Sequence, residues 1–240
     1  MSRWVSLCVG VVMLAGCASG PLPWGGAHQL QELQADLAQI AKDAESPSPS
    51  GYVIKVHVQG EEVFSRHEGL ASAEMGESIH DETVFELASL SKIFTALAVM
   101  QLHEQGRLAL DQPLGLYLSD LPETWAKLNT HQLLSHQSGL PDLLNLWPRK
   151  RLDGLDFGSV LAHFRKSPAL LYIPGTQAAY SNTNYMLLAH LVSQVSGLDF
   201  GEYLQQHVFE PAGMASSSVL DAWPRWVGQP ALPDAKEGKI

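Results

Sequence analysis

The chain has 240 residues, 45% of them hydrophobic and 17% charged, the composition of a globular chain able to bury one sizeable core rather than of a disordered one. With 25 acidic against 15 basic residues its formal charge is -10, which argues against a phosphate-backbone partner, since that needs clustered Lys and Arg. No nucleic acid is expected to bind.

At the N-terminus Arg3 precedes an apolar run from Trp4 to Leu14, too short to span a bilayer as a permanent helix and right for a secretory signal over residues 1–16. The run ends Leu14-Ala15-Gly16-Cys17, which resembles the lipobox of bacterial lipoproteins and implies cleavage that leaves Cys17 as a lipid-modified N-terminus. Ala18 in the next position leans towards the outer membrane of a Gram-negative cell, facing the periplasm. An ordinary signal peptide with an incidental cysteine is the other reading. Once Cys8 is removed with the signal, Cys17 is the one cysteine left, so neither an intrachain disulfide nor a cysteine metal site is expected.

Residues 17–27, including Pro21 to Gly26, read as a spacer, and 28–240 as the folded domain. His28 to Ala44 is amphipathic, with Leu30, Leu33, Leu37 and Ile40 on one helical face. Ser46-Pro47-Ser48-Pro49-Ser50-Gly51 ends it. Tyr52 to Val58 alternates, Gln59-Gly60 turns, and a second alternating run reaches Arg66, which together predict a hairpin. Two strands alone are marginal in water, so this hairpin needs further strands or helices to cover it.

Next comes Phe85-Glu86-Leu87-Ala88-Ser89-Leu90-Ser91-Lys92. Ser89 is a sound helix N-cap, and residues three apart share a helix face, so its hydroxyl and the Lys92 amine can meet. From Leu90 to Leu102 Lys92 is the only charge and apolar residues occur all round the helix, the pattern of a central, buried helix. Burial disfavours a charged amine, and a neutral amine beside a hydroxyl is a base beside a nucleophile. The blander reading is a capping serine and a lysine that snorkels to water.

Gly106 suits a helix C-cap, and Arg107 to Pro122 is loop-rich. Short helices are predicted at Thr130 to Ser135, Phe157 to Lys166, Thr183 to Ser196, capped by Gly197, and Phe200 to Phe209. Strands at the front and helices behind indicate an α+β fold. The ten histidines, His131 and His136 among them, show no His-Glu-x-x-His, and scattered structural or surface roles are their default. No Gly-x-Ser-x-Gly elbow and no Gly-rich phosphate loop occurs. No metal or organic cofactor is implied.

A turn at Pro174 to Tyr180 then delivers Tyr180 and Asn182 to the mouth of a helix. The phenol can relay a proton, and the amide can both donate and accept. A helix cap at Asn182 beside a packed tyrosine is the plainer alternative. Taken together, Ser89-Leu90-Ser91-Lys92 and, about ninety residues on, Tyr180-Ser181-Asn182 resemble the serine β-lactamase and penicillin-binding protein superfamily in its class C β-lactamase-like branch. Further stretches agree in order. Gly51 to Ala71 resembles the first hairpin, Gln105 to Asp111 the "GKLxLD" stretch, Leu133 to Pro141 "LLTHTSGLP", and Phe209 to Met214 "FEPLGM".

The resemblance implies that Ser89 is the acylated nucleophile, that Lys92 holds or accepts its proton, that Tyr180 is the base partner, and that Asn182 hydrogen-bonds the acyl amide of a small-molecule or peptide substrate. It implies a β-lactamase/transpeptidase-like fold in which a mainly helical region meets an antiparallel sheet. The branch includes β-lactamases, D-alanyl carboxypeptidases, D-amino-acid peptidases and esterases, and the motifs present do not choose among them. Nor do they give an oligomeric state. A third family motif, Lys or His followed by Thr or Ser and Gly on a late strand, has no match between Thr183 and Ile240. That strand supplies the second oxyanion donor and, with its neighbours, the rest of the central sheet; a truncated reading frame lacking the late strands is therefore the expectation. Losing one oxyanion donor costs roughly 10²–10³ in rate. A non-catalytic lipoprotein that binds peptidoglycan peptides or β-lactams is the alternative, and a fragment without a stable fold the third reading.

Overall fold

A computed structural model describes residues 27–43, 51–72, 75–146, 157–166 and 168–219. The signal, Cys17, nearly all of the spacer and the tail after Val219 lie outside them. The chain divides into two compact units, the boundary falling between Leu87 and Ala88.

The first unit holds helix α1 (Ala27–Asp43) and strands β1 (Tyr52–Val58), β2 (Glu61–Glu68), β3 (Leu70–Ser72) and β4 (Glu77–Ser78). β1 and β2 pair antiparallel with Val56 opposite Phe64, and β3 pairs antiparallel with β4. The predicted turn residues Gln59 and Gly60 take φ of 54° and 85°, the two positive values that a two-residue hairpin loop needs to match the twist of its strands. β2 continues two residues beyond the predicted Arg66. Helix α1 is tied to the hairpin by Gln34 Nε2, which donates to the Val63 carbonyl at 2.7 Å, and by Tyr52 Oη, 3.2 Å from the Ala41 carbonyl.

The second unit is helical: α2 (Lys92–Glu104), α3 (Glu123–Ala126), α4 (Thr130–Leu134), α5 (Leu143–Leu146), α6 (Phe157–Arg165), α7 (Asn182–Ser196) and α8 (Phe200–Leu204), which runs into a π-helical turn, Gln205–Phe209. Its core joins Ala98, Val99 and Leu102 of α2 to Leu187, Leu188, Leu191 and Val192 of α7. Local signals end the helices as the sequence predicts. Gly106 (φ 70°) donates to the His103 carbonyl and Arg107 to that of Leu102, the paired bonds of a Schellman cap. Gly197 closes α7 at φ 77°, and Asn129 and Gln132 form a capping box on α4.

Two expectations about α2 are corrected. The helix is not buried all round: Thr95, Ala98, Val99 and Leu102 face the core, whereas Ile93, Leu97 and Met100 are 55%, 43% and 37% exposed. Nor is Ser89 its N-cap. Residues Ala88–Ser91 form a 3₁₀ turn, and α2 proper starts at Lys92 behind Ser91. Side chains three apart eclipse on a 3₁₀ turn, so the change of helix type preserves the meeting of Ser89 and Lys92 that the sequence anticipates.

Trp125 on the short helix α3 is fully buried, its ring 4.8 Å from Phe164 of α6 and its Nε1 donating to the Pro168 carbonyl at 3.2 Å. Trp125→Ala is expected to cost about 3–5 kcal/mol through the cavity it leaves. Urea unfolding measures this, and a loss under about 1 kcal/mol would place Trp125 outside the cooperative core.

Candidate active site

Residue Ala88 has φ 45°, a left-handed backbone that costs a residue with a Cβ about 1–2 kcal/mol. The hydroxyl of Ser91 donates to the Ala88 carbonyl and holds this tight turn. The turn presents Ser89 at the surface, ahead of α2. On the other side, Gly175 (φ 83°) bends the chain, its N–H bonds to the Gln137 carbonyl at 2.8 Å, and Ala179 N–H bonds to the His136 carbonyl at 3.0 Å. The segment 176–181 is thereby laid along residues 136–137. Helix α7 starts one residue earlier than predicted, with Ser181 as N-cap and Asn182 as its first residue.

The four side chains that the sequence singles out meet. Ser89 Oγ lies 2.7 Å from Tyr180 Oη, and Lys92 Nζ donates to Ser89 Oγ at 3.4 Å and to Asn182 Oδ1 at 2.9 Å. Tyr180 Oη is also 3.3 Å from Asn182 Oδ1. The Lys92 amine stands 5.0 Å from the Tyr180 ring centre and 5.6 Å from that of Tyr185, within cation–π range of both. Tyr180 is 53% exposed and Lys92 half-buried. The lysine is less enclosed than its apolar surroundings in sequence suggest, because it occupies the first turn of α2 and points at the polar mouth of α7.

Two further residues shape the site. His136, set aside in the sequence among the scattered histidines, lies against the rings of Tyr180 and Tyr185, with centroids 4.7 and 5.2 Å apart. Its Nδ1 accepts from the Ser181 backbone N–H at 3.2 Å and lies 3.0 Å from Asn184 Nδ2. An imidazole that accepts at Nδ1 is neutral, with its proton on Nε2. Burial, and after it the positive charge of Lys92, holds His136 below the ordinary imidazole value of 6.5, against the opposing pull of Asp142. Burial, and then Tyr180, pushes the Tyr185 phenol up. Asp142, the second addition, stands one residue beyond the Leu133–Pro141 stretch. It takes the Asn182 backbone N–H at 3.2 Å and the Asn182 side-chain amide at 3.1 Å.

The sign of the His136 effect is fixed by linkage. Below 6.5 the unfolded chain takes up a proton that the folded site resists, so stability present at neutral pH is lost as the pH falls from 6.5 through the depressed folded value. Half-buried His190 is shifted the same way, again by burial. His136→Asn, which tolerates the left-handed φ of 56° at this position, is expected to flatten the fall in melting temperature between pH 7.5 and 5 without abolishing it. An unchanged slope would mean that His136 protonates freely in the folded protein.

A family profile described as Beta-lactamase matches residues 38–234. The chain is 31% identical over 161 residues to penicillin-binding protein 4* of Bacillus subtilis (strain 168), over 65% of this chain and 35% of that one. It is 30% identical over 190 residues to esterase EstB of Burkholderia gladioli, covering 72% and 48% respectively. Among solved structures, a β-lactamase/D-alanine carboxypeptidase from Pseudomonas syringae matches with a TM-score of 0.63 at 27% identity, over 77% of this chain and 49% of that one. The chain spans about a third to a half of the length of these relatives. Their fold is the β-lactamase/transpeptidase one, which agrees with the mixed helices and small antiparallel sheets seen here.

Proposed function

Because the chain belongs to the Beta-lactamase family, we propose that it is a serine hydrolase that forms an acyl-enzyme through Ser89 on an ester, amide or β-lactam. The observation that carries this reading is the exposed Ser89 hydroxyl with Tyr180 Oη at 2.7 Å and Lys92 Nζ at 3.4 Å, a nucleophile in reach of two groups that can take its proton. Ser89 Oγ attacks the carbonyl carbon, and its proton passes to the Tyr180–Lys92 pair. The pair accepts it when the two share one proton fewer than an ammonium with a phenol, as phenolate beside ammonium or phenol beside amine. The bond to the leaving nitrogen or oxygen breaks as that atom takes the proton back. Water then adds to the acyl carbon through the same pair, the bond to Oγ breaks, and the acid is released. The Ser89 backbone N–H serves as one oxyanion donor, and Asn182 hydrogen-bonds the acyl amide of the substrate. Relatives named as an esterase, a D-aminopeptidase and a putative D-alanyl-D-alanine carboxypeptidase support ester or amide chemistry. The proposal includes the address read from the sequence: a lipidated Cys17 holding the domain at the envelope membrane.

Intact mass after exposure to benzylpenicillin and to p-nitrophenyl acetate tests this. A one-to-one adduct that maps to Ser89 is expected. Saturable binding without an adduct, from a protein that melts cooperatively, would replace the hydrolase by a binding lipoprotein.

A further inference from the structure

Asn182 can present either end of its amide to Lys92, and the two ends are chemically opposite. Oδ1 faces the cluster, accepting from Lys92 Nζ at 2.9 Å and lying 3.3 Å from Tyr180 Oη. Nδ2 points the other way, 3.3 and 3.1 Å from the two carboxylate oxygens of Asp142. Turned over, the amide would set an N–H₂ against the lysine amine and a carbonyl against a carboxylate. Both contacts would be repulsive and the charge-assisted bonds at both ends would be lost. Asp142 is itself held, because its Oδ1 also accepts the backbone N–H groups of Asn182 at 3.2 Å and Leu144 at 3.1 Å. It thus sits at the N-terminus of the fifteen-residue helix α7, where negative charge is favoured. Pro141, its neighbour, is fastened to α7 as well, since the Thr183 hydroxyl donates to the Pro141 carbonyl at 2.7 Å.

We propose that Asp142 is a positioning residue, which orients the Asn182 amide so that an acceptor faces Lys92 and Tyr180 and thereby holds the lysine amine beside Ser89. Asp142 reaches none of the three reacting side chains; it acts through Asn182. A simple helix-capping role differs in one respect. Asp142→Asn keeps an oxygen for the backbone N–H groups of Asn182 and Leu144, but its neutral amide can offer either an acceptor or a donor to Asn182 and no longer selects one orientation.

The first arm of the test is independent of activity. In the ¹H–¹⁵N spectrum the Asn182 side-chain signals are assigned by their loss in Asn182→Ala. No cross-relaxation from these hydrogens to the Lys92 Cε hydrogens is expected in the wild type, and its appearance is expected in Asp142→Asn at a near-unchanged melting temperature. The same pattern in both proteins would overturn the proposal. The second arm rests on the acyl-enzyme reading: Asp142→Asn is expected to slow acylation by p-nitrophenyl acetate about 10-fold, the scale of one charge-assisted hydrogen bond. It should cost nothing further in the Asn182→Ala background. An equal loss in that background would overturn the proposal, because Asp142 would then act by another route. A wild type that does not acylate at all contradicts the hydrolase reading alone, and the spectrum then decides the role of Asp142.

Discussion

Replacing Ser89 with alanine is expected to abolish covalent labelling by benzylpenicillin and p-nitrophenyl acetate, a fall in acylation rate of at least about 10³-fold, as removal of a nucleophile from a concerted unit produces. The geometry offers no substitute. Ser91, two residues away, commits its hydroxyl to the Ala88 carbonyl, and the Ser181 hydroxyl is buried, 3.3 Å from the Pro141 carbonyl. Ser91→Ala should therefore retain the adduct, which makes it the control for damage to the turn. Because Ser89 is exposed and lies ahead of α2, its methyl replacement leaves no cavity, and the melting temperature of Ser89→Ala should match the wild type within about a degree or two. An adduct that survives in Ser89→Ala would move the nucleophile elsewhere and end the hydrolase reading built on this serine.

What could be read in advance follows the range of the forces involved. Helix ends at Gly106 and Gly197, the Gln59-Gly60 turn and the encounter of Ser89 with Lys92 depend on neighbours a few residues apart, so local chemistry specifies them. The meeting of Ser89 with Tyr180 spans 91 residues; no periodicity predicts it, and it came from the ordered set of family motifs. Asp142 and His136 escaped for the same physical reason. Their roles come from partners 40 and 45 residues away, across a loop laid against α7, and neither side chain carries a spacing that marks it. The one available signal was position: a carboxylate directly after a recognised stretch, and a histidine inside it. The burial of α2 was misjudged from the other direction. Composition tells which faces of a helix tolerate burial, not which faces its neighbours reach, and in the second unit α7 and α8 pack on α2 while Ile93, Leu97 and Met100 stay exposed.

Lys92→Ala should lower the acylation rate by about 10²–10⁴-fold, the usual contribution of a positioned proton acceptor or donor, with the adduct still forming at Ser89 over longer times. The loss has two separable parts: the positive charge that a protonated amine places beside Ser89 and Asn182, and the capacity to exchange a proton. Arginine keeps the charge and the donors but does not give up its proton in a protein. Lys92→Arg is accordingly expected to recover no more than about 10-fold over alanine, one charge-assisted hydrogen bond's worth. Recovery to the wild-type rate would assign Lys92 a purely electrostatic role and leave proton transfer to Tyr180, the nearer group at 2.7 Å. The alanine variant carries an internal check that needs no substrate. The Lys92 charge is the second cause, after burial, that holds His136 below its ordinary value. Without that charge His136 moves back towards 6.5, and the stability lost on acidification shrinks. Arginine restores the charge and with it the steeper loss. Coincident changes in acid stability and acylation rate would show that one amine governs both, through its contact with Ser89 on one side and its field at His136 on the other.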